Sequence, residues 1–392
     1  MVQCIFDFIS LARHRPFHKT PNRAWTAAAV LLFLTAGALL AACGDYTLFP
    51  DGSGPGPEPP VSSCEKAFPG LAAYDPAEIV VDDTLEYPVA VKVVPEGMEI
   101  PLVGGTLKAQ EGDLVVANSP PGALSNIYVY LADQSYRSAH ALPLLVAGLG
   151  DIVPLHEQYT VGSQTLDLDL LFFTALNTLT GAYYLYVYDL QQATEPLMYE
   201  NPFAPGPDRT PLILPMALGK STNYAAVFLL ENQDTVVRVR FTFGEGGLLP
   251  DSVWPIAEGF TALWDLAFYD GNLFVVEKTN SQIYKIANAV TRSLPVQKNQ
   301  LSPFIGSANL YTPVALALGA TDLSTELLVF NNEENESAIE QFDPDTGGAP
   351  KSTLSVRLVG HLDLAYACQS SMLFFTRSVP AASYGLFRFA PQ

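Results

Sequence analysis

From about residue 100 onward the chain repeats a unit of two apolar strands separated by a polar turn. The first strand reads DLVVAN at 113–118, LLFFTA at 170–175, VFLLEN at 227–232, LFVVEK at 273–278, LLVFNN at 327–332 and LFFTR at 373–377. Its partner reads NIYVY at 126–130, YYLYVY at 183–188, VVRVRF at 236–241, QIYKI at 282–286, AIEQF at 338–342 and GLFRF at 385–389. The first strands end 57, 57, 46, 54 and 45 positions apart and the second strands 58, 53, 45, 56 and 47 apart. Such intervals predict an all-β chain of propeller blades, in which each four-stranded sheet buries its faces against its neighbours. The first strands are apolar at successive positions, which places them near a crowded centre. The second strands interleave Arg238, Arg240, Lys285, Glu340 and Arg388 with apolar residues, which places them towards the rim. The six units centre near 100–135, 165–192, 211–243, 260–290, 313–345 and 361–390. Five or seven blades, or a pair of stacked β-sandwiches, are the competing architectures.

The sixth unit supplies strands at His361–Ala367, Met372–Arg377 and Tyr384–Ala390 and then the chain stops, one strand short. Leu85–Val94, LEYPVAVKVV, has strand composition, although Pro88 demotes it to an edge position or its first residues to an approach loop. It is therefore expected to supply the outer strand of the last blade and close the ring. Leu114–Asn118 with Ile127–Tyr130, and Asp265–Lys278 with Ile283–Ile286, resemble the six-bladed propellers of the NHL-repeat and gluconolactonase-like class. More loosely they resemble bacterial surface propellers with repeats of the form LYVAN...I.VID. The resemblance covers most of residues 100–390. It implies six blades and, in gluconolactonase-like members, an oxygen-ligated metal at the channel mouth that polarises a lactone. The ligands of that class do not align with this chain residue by residue, so none is carried over.

Ahead of the repeats, an apolar run from Ala24 to Ala42 ends in Leu40-Ala41-Ala42-Cys43-Gly44 and follows a basic lead of Arg13, Arg15, Lys19 and Arg23. The order of basic lead, apolar run and small residues is that of an export signal. The terminal pentapeptide resembles a bacterial lipoprotein lipobox, which implies cleavage before Cys43 and acylation of its thiol. By the same resemblance Gly44, where an aspartate would signal inner-membrane retention, favours the outer membrane. A single uncleaved membrane span and an ordinary cleaved leader are the alternatives, since 19 residues just cross a bilayer. The expected domains are thus 1–42, signal peptide; 43–63, lipidated cysteine and flexible tether; and 64–392, propeller. Gly52–Pro60 holds too many prolines to join a helix or sheet. The tether's 20 residues reach on the order of 60 Å when extended.

Charge and cysteine content sharpen this picture. Taking the four basic residues and Asp7 of positions 1–42 from totals of 20 basic and 40 acidic leaves 16 against 39, a formal charge of minus 23. Such a surface repels nucleic acid and anionic headgroups. Of the four cysteines, Cys4 leaves with the leader and Cys43 takes the lipid. Cys64 and Cys368 remain, and in an oxidising compartment they are expected to form one disulfide, with two separately buried thiols as the alternative.

Candidate chemistry is sparse. His140, His156 and His361 stand at no metal-ligand spacing, and no zinc motif, phosphate loop or G-x-S-x-G elbow is present. Asp265 and Asp363 begin strands expected to line the channel. Asn118, Glu231, Asn232, Glu277, Asn331 and Asn332 end first strands, where they read as solvated turn residues and local caps or, in the lactonase case, as rim ligands. DPDTGG at 343–348 reads as a turn, and NNEENES at 331–337 lacks the glycine and ligand order of a calcium loop. Trp254 and Trp264 are expected to pack, unless Trp254 is exposed in the interblade loop around GEGGLLPDSVWP and available for contact. No catalytic, metal or cofactor residue is assigned, with calcium or another divalent cation the secondary expectation. The expected function is an envelope-anchored, non-catalytic binding module for a protein, glycan or small ligand. The alternative is a metal-assisted lactonase or related hydrolase at the channel mouth.

Overall fold

The computed structural model describes residues 66–102, 105–137, 139–161, 164–191, 196–199, 202–203, 216–221, 224–244, 247–321, 323–332, 337–356, 360–379 and 383–392. The leader, Cys43, the tether and Cys64 lie outside them. Strands make up almost all the regular structure described, with two short 3-10 turns at Leu71–Ala73 and Lys298–Gln300.

The strands follow one another as antiparallel meanders. Pro88–Val93, Leu114–Asn118, Leu124–Tyr130 and Ala139–Ala147 pair in that order. Ile152–Val161, Gln164–Asn177, Ala182–Asp189 and Leu197–Met198 form the next set, joined to the first through Ala147 and Leu176. The third runs Met216–Ser221, Tyr224–Glu231, Thr235–Gly244 and Gly247–Glu258, with Val296–Gln297 added in parallel outside it. Leu263–Tyr269, Asn272–Glu277, Gln282–Ile286 and Pro303–Ile305 follow, then Pro313–Ala320, Thr325–Asn332, Ser337–Phe342 and Ser352–Val356. The last sheet is His361–Ala367, Met372–Val379 and Ser383–Phe389, finished by Ile79–Asp82.

The first strand of each meander touches the first strand of the next, and His361–Ala367 returns to Pro88–Val93. This closed circuit of meanders is a β-propeller. Period-two alternation explains why the sheets stack. Leu171 and Phe173 face the preceding sheet while Leu170 and Phe172 face the following one. Likewise Leu273 and Val275 point one way, and Phe274 and Val276 the other. The core is therefore a series of apolar layers between consecutive sheets.

Both repeat rulers fall on adjacent strands in every meander, but one position further out than expected. The apolar first strands are second from the axis, sandwiched between two sheets, and a separate strand lies inside each. Asp270 and Gly271, at φ 46° and 72°, form the expected hairpin turn between Leu263–Tyr269 and Asn272–Glu277. The stretch around GEGGLLPDSVWP, expected as a loop, contributes the strand Gly247–Glu258. Pro250 and Pro255 fit there beside register shifts in the pairing.

The closing strand also differs from expectation. Ile79–Asp82 pairs with Ser383–Phe389, whereas Pro88–Val93 is the inner strand of the first meander. Pro88 does sit at a sheet edge, as its missing N–H requires, but at the inner edge. The outer position went to a strand whose Ile79 and Val80 are 39% and 54% exposed. Gly385, at φ 151°, lets this strand approach, since a Cβ there would lie 2.5 Å from the Asp82 carbonyl oxygen. Gly385→Ala is expected to cost about 1–3 kcal/mol by overpacking and to speed proteolysis around residues 79–84. An unchanged melting temperature and cleavage rate would show that this contact does not hold the closure.

Candidate functional site

An inner strand is the edge of its sheet, so some of its N–H groups lack ladder partners. Alternate meanders answer this with an aspartate before a branched apolar residue: Asp151-Ile152, Asp265-Leu266 and Asp363-Leu364. Each carboxylate accepts an N–H from the inner strand of the next meander. Asp151 Oδ2 takes Met216 N at 2.7 Å, Asp265 Oδ2 takes Leu316 N at 2.6 Å, and Asp363 Oδ2 takes Val91 N at 2.9 Å. Asp151 and Asp363 also accept the N–H of the residue that follows them, at 2.7 and 2.9 Å. All three are buried, at 3%, 6% and 4% exposure.

Lys92 enters the same space from the first inner strand. Its Nζ lies 2.6 Å from Asp363 Oδ2 and 3.5 Å from Asp151 Oδ1. Burial opposes its charge, but the carboxylates of Asp151, Asp363 and Asp265 outweigh burial and hold the ammonium well above its usual range. Burial, joined by repulsion from Asp363, pushes Asp265 up to about 7, against the pull of Lys92. Asp363 rises to about 6, again mainly through burial, and Lys92 restrains it. A cavity of about 230 Å³ is bounded by one such position in every inner strand: Lys92, Val153, Ala217, Ala267, Ala317 and Ala365.

The sequence pointed to Asp265 and Asp363 but missed Asp151 and Lys92. The D-[IL] dipeptide recurring in every second unit is the signal that links the aspartates, whereas nothing local to Lys92 marks it. Three carboxylates lie around the axis, and the cation paired with two of them is the protein's own ammonium. Among the described residues, no three His, Cys, Asp or Glu side chains are arranged to hold a metal ion.

The residues ending the first strands of the repeats are caps, as expected, but several are buried instead of solvated. Asn118 accepts Tyr87 N, and Asn331 accepts Tyr311 N and Thr312 N. Glu277, fully buried, accepts Thr261 N, Thr261 Oγ1, Asn280 Nδ2 and Lys298 Nζ. Those hydrogen bonds outweigh burial and hold its carboxyl below the usual range. Asn332 accepts Ser337 Oγ, while Asn232 takes a left-handed turn conformation beside half-buried Glu231. DPDTGG is an Asx turn in which Asp343 Oδ1 accepts the N–H groups of Asp345 and Thr346.

His156, at no metal-ligand spacing in the sequence, has Nδ1 2.6 Å from Asp169, a carboxylate 1% exposed and also bonded by Gln191. Trp264 packs against the core layers, with Lys278 3.7 Å over its ring. Trp254 is 47% exposed on Gly247–Glu258, its indole N–H donated to Ser293 O. Cys368 is buried and disulfide-bonded.

No family model matches the chain. A stretch of 144 residues, 36% of the chain, is 29% identical to the conidial surface nicotinamide adenine dinucleotide glycohydrolase of Aspergillus fumigatus. The match spans 59% of that relative's length. Among solved structures, the Dos1 propeller aligns with 83% of this chain and 97% of its own at 7% identity and a TM-score of 0.40. U3-55K aligns with 82% and 100% at 8% identity and 0.43, and the RRP9 WD40 repeats with 83% and 99% at 9% identity and 0.43. At those TM-scores the likenesses carry no argument, and the propeller architecture rests on the strand circuit itself.

The axial carboxyls set a pH dependence whose sign is fixed by their raised values. Asp265 binds its proton more tightly when folded, at about 7 against an ordinary 3.8. Its contribution is greatest below the ordinary value and is lost as pH rises through about 7. Asp265→Asn keeps an acceptor for Leu316 N and removes the titration. Between about pH 5 and pH 8 the variant is expected to lose less stability than the parent, and at pH 8 to melt about 2 °C or more higher. Parallel melting curves against pH would contradict the assignment.

Proposed function

We propose that the protein is a lipid-anchored, six-bladed propeller of a bacterial cell envelope, related to the NHL-repeat and gluconolactonase-like class, that works as a non-catalytic binding module. The observation that carries this function is the axial network. The carboxylates best placed to act as acid, base or ligand in the channel accept backbone N–H groups of neighbouring strands, and Lys92 balances two of them as ion pairs. Binding is left to the loops and rim of a rigid ring. The circuit of inner strands supports six blades.

Cys43 is the acylated residue and residues 43–63 are the tether to the membrane, with the outer membrane favoured. Cys64 is the natural partner for disulfide-bonded Cys368. Closing that loop of roughly 300 residues contributes on the order of 5 kcal/mol in the chain-entropy model. The partner is an envelope protein, a glycan or a small ligand; the strongly acidic surface disfavours nucleic acid.

The alternative is a metal-assisted lactonase, and the Lys92 ammonium paired with Asp151 and Asp363 opposes it. Calcium or another divalent cation would have to displace or outcompete Lys92 there.

In-cell crosslinking of the lipidated protein, followed by mass spectrometry and compared with Cys43→Ser, tests the module. Fatty-acid labelling and membrane fractionation of at least tenfold more parent than variant, with one envelope partner enriched only from the parent, are expected. Equal labelling of both would overturn the anchor, and no enriched partner would move attention to glycans and small ligands. A rise in melting temperature on adding calcium that Asp265→Asn abolishes would favour the lactonase.

A further inference from the structure

The outer rim between the third and fourth sheets carries an aromatic side chain that the described residues leave half uncovered. On Gly247–Glu258, Trp254 stands opposite Arg238 and Ser252 opposite Arg240. Residues directly opposite one another share a face. Val236, two positions before Arg238, lies in the core layer against the fourth sheet, so all four side chains are on that face. The register shift between Arg240 and Phe241 leaves Asp251 as an extra residue beside Ser252. Such a bulge re-aims a side chain, and here Arg240 donates Nε and Nη2 to Asp251 Oδ2.

These groups are held in place by the protein itself. Trp254, 47% exposed, donates its indole N–H to Ser293 O at 2.9 Å. The turn that offers this carbonyl is pinned to the third sheet by Arg238, which donates Nη1 to Ala289 O and Val290 O, and by the Tyr224 hydroxyl, 3.4 Å from Val290 O. Tyr224 also backs the ion pair, its ring centre 5.4 Å from the Arg240 guanidinium carbon. The Arg240 and Asp251 side chains remain 29% and 34% exposed, and among the described residues no group bonds Asp251 Oδ1. A fixed, exposed ring beside an exposed carboxylate gives up little freedom on binding.

We propose that this rim patch binds a neutral glycan, with one pyranose stacked on Trp254 and a hydroxyl of a linked sugar donated to Asp251. The site rests on the reading of the protein as a binding module and names the class of ligand. An indole offers a flat apolar surface that the C–H face of a pyranose matches, and the hydroxyls around the sugar need polar partners close by. Ser252 lies between Trp254 and the ion pair on the same face and supplies a further hydroxyl. Arg240 and Asp251 cancel one another's charge, so the patch offers no net charge to an ionic ligand, and the chain's formal charge of minus 20 repels anions. A single exposed ring falls far short of the roughly 800 Å² per partner that a stable protein interface covers. Trp254 and Asp251 are three positions apart, about 10 Å along a strand, so the ligand is a chain of sugars and not a single one.

Titration of the purified full-length protein, followed by calorimetry and tryptophan fluorescence, tests the site. The neutral probes are cellotetraose, maltotetraose, mannotetraose and chitotetraose; glucose, sialyllactose and the glucosamine tetramer are the single-ring, anionic and cationic controls. At least one neutral tetramer is expected to bind at millimolar concentration or tighter, at least about tenfold more tightly than any control. Trp254→Ala is expected to weaken it about tenfold or more and Asp251→Ala about threefold or more, whereas Trp254→Phe keeps a ring and most of the affinity but loses the fluorescence change. Circular dichroism and the melting temperature of each variant accompany the titration, and Lys351→Gln should bind as the parent does. Absence of binding by every neutral tetramer, full binding by folded Trp254→Ala, or a charged control bound as tightly as the tetramers would each overturn the proposal. An envelope protein crosslinked by the parent and not by Trp254→Ala, with no tetramer bound, would overturn the glycan site while leaving the binding module standing.

Discussion

The ring depends on satisfying the inner edges of its sheets. A propeller abolishes lateral edges by stacking sheets face to face, but each inner strand still presents N–H groups that its one ladder partner does not take. Here aspartates in every second unit reach across to the following strand, so Met216, Leu316 and Val91 are each bonded to a neighbour's carboxylate. The hydrophobic layers hold sheets together broadly, while these bonds set the order and spacing of strands around the axis. Buried carboxylates are expensive, and Lys92 offsets part of that cost by contributing the opposite charge at the same place.

That division of labour bears on function. A channel whose acids are committed to backbone N–H groups is poorly suited to proton transfer or ligand exchange. The seam between first and last sheets joins residues far apart in the chain: Asp363 accepts Val91 N and Lys92 Nζ, 272 and 271 positions away.

Much of the fold was legible because burial on both faces leaves a strong mark. LLFFTA and LLVFNN are continuous apolar runs, and their spacing alone exposes the repeated sheet. Some inner strands were harder to see. PVAVKV, LWDLAFY and HLDLAYA fall within stretches read as strands, whereas MALGKS and PVALALGA are short, rich in small residues, and resemble linkers as much as strands. Pro88 gave the correct physical constraint, an edge, without saying which edge. The exposed Ile79–Asp82 strand carries too little apolar pattern to compete on sequence alone. The candidate site was partly legible: Asp265 and Asp363 stand out before similar strands, but Asp151 precedes a proline-containing one and Lys92 lies in an otherwise apolar one. Burial of Asn118, Glu277 and Asn331 depended on neighbouring loops folding over them, information that no local window contains.

Native-state hydrogen exchange at the Val91, Met216 and Leu316 amides is the most direct measurement of the axial bonds. If the aspartates hold the ring, these three amides exchange in the slowest class and open together, at the free energy of global unfolding. Exchange of any of them at the rate of an exposed edge amide, with the rest of its sheet still protected, would contradict that role.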